Sequence, residues 1–87
     1  MHETGMVRDL VRRLEQVARE RGGGRIAAAQ VWLGALSHMS PEHFREHFEE
    51  VSRGTVAAGA RLAIELSQDP HHPSAQHVVL ESVDLET

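Results

Sequence analysis

The sequence predicts a two-layer α+β domain: two helices on one face of a three-stranded mixed sheet, in the order α-β-α-β-β. Three observations predict it. One apolar stripe at helical spacing fills the first quarter of the chain, and a Ser40-Pro41-Glu42 helix start stands near the middle. The remaining apolar segments are short and bulky or alternating, as strands are. Eighty-seven residues suffice for one modest core and not for two, so residues 1–87 read as a single domain.

Each element has its own warrant. Over Thr4–Arg21, Val7, Leu10, Val11, Leu14, Val17 and Ala18 recur on one helical face, with Thr4 as the expected N-cap and Gly22-Gly23-Gly24 as the stop. Arg25–Leu36 contains Ala27-Ala28-Ala29, which fits a helix equally well. Bracketing glycines and the bulky Val31-Trp32-Leu33 favour a strand. In the second helix serine caps, proline takes the first position, and Phe44, Phe48 and Val51 point inward until Arg53-Gly54. Thr55–Gly59 is a turn region. Ala60–Leu66 alternates, with Leu62, Ile64 and Leu66 on one face. Ser67–Gln76 is a loop rich in Pro, Asp and Ser, and His77–Leu85 is the last strand. A helix between the first two strands suits a right-handed parallel crossover, and a loop of about ten residues between the last two suits an antiparallel pair. Val7, Leu10, Leu14, Phe44, Phe48, Leu62 and Ile64 are the expected core.

Composition excludes several classes. The net charge of −4 argues against nucleic acid, because neutralising phosphates needs clustered basic residues. All nine basic residues are arginine, and those of the first helix alternate with Asp9, Glu15 and Glu20 as on a solvated face. No apolar run approaches the ~18 residues of a membrane span. No apolar signal-peptide core stands at the start, so the cytoplasm is the expected location. The absence of cysteine rules out disulfides, thiolate zinc sites and cysteine nucleophiles. What stands out is seven histidines beside one tryptophan, two phenylalanines and no tyrosine.

Four features could carry chemistry. His43-Phe44-Arg45-Glu46-His47 fits the inverted zincin pattern H-x-x-E-H, with both histidines on one helix face at metal-binding spacing. A protease also needs a third ligand and a substrate cleft, so the segment reads as the charged side of an amphipathic helix. His71, His72 and His77 form a His-rich loop, a weaker metal candidate, since such segments between prolines are usually just polar and mobile. Trp32 suits core or interface better than cofactor stacking. Ser37 and His38 make no triad, and no catalytic residues are assigned.

The fourth feature is the start, Met1-His2-Glu3. A terminal amine, the backbone nitrogens that follow and the imidazole of a second-position histidine can chelate one ion in adjacent rings. Square-planar nitrogen donors favour Ni(II) or Cu(II). His2 is bulky, so Met1 should be retained and supply its amine.

Met-His-Glu followed by a long amphipathic helix, the block Gly34, Leu36, Ser37, Met39, Pro41, Glu42 and the block Arg53, Gly54, Thr55, Ala57, Gly59, Ala60 resemble the HypA family of nickel metallochaperones for [NiFe]-hydrogenase maturation. The resemblance covers about Met1–Glu65, and the final strand is similar to that family's last one. It implies a non-enzymatic accessory protein that handles transient Ni(II) at Met1, His2 and Glu3. Its implied partners are the hydrogenase large subunit, a GTPase maturation factor, or both, with no nucleic acid and no membrane. The family's zinc domain, with two C-x-x-C pairs, is replaced here by residues 67–76, so no zinc is expected. His43 and His47 stand where the family has small residues. An alternative reading is a HypA-like docking module that has lost metal delivery.

Overall fold

The computed structural model describes residues 3–86. The elements are α1 (Glu3–Glu20), β1 (Ile26–Leu33), α2 (Pro41–Val51), β2 (Arg61–Leu66) and β3 (Val78–Leu85). Thr4 is therefore inside α1 rather than its cap. The helix ends as the glycines require: Gly22 and Gly23 adopt φ of +92° and +88°, and the Gly23 amide donates to Ala18 O at 2.7 Å. Glycine reaches that left-handed region without a Cβ clash, which closes the last turn. Ser40 caps α2 as its sequence predicts, its hydroxyl accepting from the His43 amide at 3.1 Å.

The strand order is β2-β1-β3, with β1 parallel to β2 and antiparallel to β3. The expected pairing of the last two strands is corrected here: they lie on opposite edges. The reason is helix cover. The β1-α2-β2 crossover sets α2 against β2, and α1 needs its own sheet floor, which β3 supplies on the other side of β1. Both helices rest on one face, where Ala29, Val31 and Leu33 of β1 lie beside Leu62, Ile64 and Leu66 in register. Two register shifts adjust the β1–β3 ladder. Ile26 pairs with Leu85 and Ala28 with Asp84, then Gln30 with Ser82 and Val31 with Leu80, leaving Glu81 as the extra residue. The first shift lets Ile26 and Ala29, three apart, both face inward.

Val7, Leu10, Leu14, Phe44, Phe48 and Leu62 are buried as expected, joined by Val11, Ala18, Ile26, Val31, Leu33, Met39 and Ala57. Ile64 is only partly buried, and Leu66, the last residue of the edge strand β2, is 44% exposed. The other sheet face is uncovered by any helix and carries Trp32, between Glu65 of β2 and Val79 of β3.

Candidate functional site

Met1 and His2 lie outside the described residues, and Glu3 enters as the first backbone residue of α1. The structure does describe the turns of α1 that follow them in the chain. Met6, Asp9, Leu10 and Arg13, on the first turns of α1, form a crevice of about 180 Å³ with His77, Val78 and Leu80 at the start of β3. The strand order that moved β3 beneath α1 thus brings His77 to the helix end that carries the Met-His-Glu start. Sequence reading grouped His77 with its loop neighbours and missed this placement; only the sheet topology reveals it.

The loop histidines do not converge. No group of three or more His, Asp or Glu residues suited to a metal occurs among the described residues. His71 and His72 are exposed. The His72 Nδ1 lone pair is already used, accepting the Ser74 amide at 2.9 Å. The loop is also not the featureless polar segment expected. The Asp69 carboxylate accepts from the His71 amide at 3.0 Å, and the Ala75 and His77 amides donate to His72 O and Ser74 O. These short-range bonds build successive turns.

On α2, His43 is exposed and His47 half-buried, while Phe44 between them is fully enclosed. Arg45 donates to Leu62 O at 3.0 Å, so the middle of the H-x-x-E-H segment is engaged in packing α2 on β2. The Ser37 hydroxyl is nearly buried and donates to Gly34 O at 2.7 Å, so it is held as a turn brace.

The two sequence blocks are joints between elements. In the first, Ser37, then His38 at φ +59°, then the Ser40 cap turn the chain from β1 into α2. In the second, Thr55 Oγ1 donates to Ser52 O at 2.7 Å and accepts from the Ala57 amide at 3.1 Å. Arg25 fastens that turn by donating to Ala58 O at 2.8 Å. These bonds fix the turns that join the elements.

The described residues therefore define a small two-layer α+β domain whose signature segments are structural. Residues 1–71 match the family described as hydrogenase/urease nickel incorporation, metallochaperone, hypA. The chain belongs to the HypA family. It is 39% identical over 66 residues to the hydrogenase maturation factor HypA of Methylocella silvestris, a match covering 76% of this chain and 58% of that protein. HypA of Chlorobaculum tepidum is 37% identical over 65 residues, covering 75% of this chain and 58% of that one. The chain thus matches little more than half the length of these relatives. Among solved structures, the nickel metallochaperone HypA from Helicobacter pylori superimposes with a TM-score of 0.80 at 19% identity, covering 98% of this chain and 97% of that one. That likeness establishes the α+β fold.

Proposed function

We propose that this chain carries nickel for [NiFe]-hydrogenase maturation, holding Ni(II) as transient cargo at Met1, His2 and Glu3. The observation that supports this reading is the position of α1. The helix begins at Glu3, so the Met-His-Glu start runs directly into the first turn of a HypA-family domain. The first four amides of a helix have no intrahelical acceptor. The Glu3 amide is one of them, and it can give up its proton to a metal without breaking a helix bond. With the Met1 amine, the His2 amide and the His2 ring, it would offer Ni(II) the nitrogen donors that this ion favours. The Glu3 carboxylate acts as a charge beside the ion.

The chain binds and releases rather than catalyses. By family, the receivers are the hydrogenase large subunit, a GTPase maturation partner, or both, in the cytoplasm. No helix among the described residues is long and apolar enough to cross a membrane.

The test is calorimetric titration with Ni(II) of protein whose first residue is Met1. Protons compete at the amine and the ring, so affinity should rise between about pH 6 and pH 8. His2→Ala, or one residue added before Met1, should abolish the strong site and leave the circular dichroism unchanged. The double change His71→Ala, His72→Ala should matter little. Affinity that survives His2→Ala but disappears with the loop histidines would refute the chelating terminus and favour a docking module.

A further inference from the structure

Residues 67–77 form a strap across the C-terminal end of β1. At one end the Ser67 amide donates to Leu33 O at 2.8 Å; at the other, the Gly34 and Leu36 amides donate to His77 O at 2.9 Å and Ala75 O at 2.7 Å. Between these anchors the strap passes over the open face of the sheet. There the His72 ring sits against Trp32, with centroids 4.7 Å apart and planes inclined by 47°. Trp32 is the chain's single tryptophan, and it stays half-buried on a face that no helix covers. The ring is oriented by one bond, from the Ser74 amide to its Nδ1 at 2.9 Å.

That bond depends on protonation. A ring nitrogen accepts only while it carries a lone pair, and in the imidazolium both nitrogens are donors. Protonated His72 would aim an N–H at the Ser74 N–H, so the bond would be replaced by a repulsion. Attraction between the imidazolium and the indole acts in the opposite sense, but other ring positions over Trp32 satisfy it without facing Ser74. Among the described residues, the charged and titratable groups on the elements that meet His72 are Asp69, His71 and His77 on the strap and Glu65, which pairs with Trp32, on β2; β3 pairs Val79 with Trp32. The Asp69 carboxylate is engaged by the His71 amide at 3.0 Å.

We propose that His72 is a proton-operated latch. Neutral, it fastens the 67–77 strap over Trp32; protonated, it releases the strap and uncovers Trp32 on the open sheet face.

The intact chain reports on this directly, because its fluorescence comes from Trp32. Emission and acrylamide quenching are followed while acidifying, with circular dichroism confirming the fold at each step. Between about pH 7.5 and 5, emission should shift to the red and the quenching constant should rise about twofold. His72→Gln keeps an acceptor for the Ser74 amide but cannot titrate, and should abolish the response. His71→Gln and His77→Gln should retain it. An unchanged Trp32, a response that persists in His72→Gln, or dimming without gained acrylamide access would each overturn the latch. The last would mean that the imidazolium stays stacked. Should His72→Gln fail to fold, nitrogen NMR of the wild-type ring decides. A His72 that carries its proton on Nδ1 at neutral pH refutes the proposal.

Discussion

At the scale of single residues, two positions show how locally the fold is specified. His38 holds φ +59°, a conformation that costs a non-glycine residue roughly 1–2 kcal/mol. His38→Gly should therefore stabilise the protein by up to about 1 kcal/mol, after glycine's own entropic cost is subtracted. Thermal unfolding measures it, and a lower melting temperature would show that the imidazole makes a compensating interaction. Phe48 is the opposite case, enclosed at the α2–sheet contact. Phe48→Ala should cost about 3–5 kcal/mol in urea unfolding. Phe48 was legible as core from spacing with Phe44, because a helix stripe reads the same whatever it packs against. The backbone of His38 was not legible, since nothing in its side chain announces a left-handed turn.

At the scale of elements, the strap is held by Gly34 as much as by hydrogen bonds. A Cβ at Gly34 would overlap the Ala75 carbonyl, a backbone atom that cannot swing aside. Gly34→Ala should thus loosen the 67–77 segment at a cost of roughly 1–3 kcal/mol, seen as faster hydrogen exchange at Leu36 and His77. Unchanged protection there would show that the strap is fixed elsewhere. Ser40→Ala removes the α2 cap and should cost about 1 kcal/mol. Both sheet edges are also protected against strand addition. Arg45 occupies the Leu62 carbonyl on β2, and β3 carries an extra residue at Glu81 with Asp84 nearby. Charges and bulges of this kind blunt a free edge.

At the scale of the molecule, folding rests on one core shared by two helices and three strands. The chain has no cysteine, so no thiolate cluster can contribute folding energy. Chelators should leave its melting temperature unchanged, as differential scanning calorimetry with and without EDTA can check. A fold lost together with one tightly held zinc would refute this. Nickel loading should then be separable from stability, because the proposed donors precede or only open α1.

What the sequence determined alone was the kind and order of the elements, their buried faces, the α2 cap, the glycine stop of α1 and the family. Each is written in short-range pattern: periodicity, cap chemistry, or a block of residues that forms one joint. Only the tertiary structure decided which strands are neighbours. A strand's pattern says which face is buried but not what lies beside it, and the need to floor α1 placed β3 against β1. That one decision turned residues 67–77 from an expected hairpin-like loop into a strap. It set His72 over Trp32, and it carried His77 to the crevice beneath the first turns of α1.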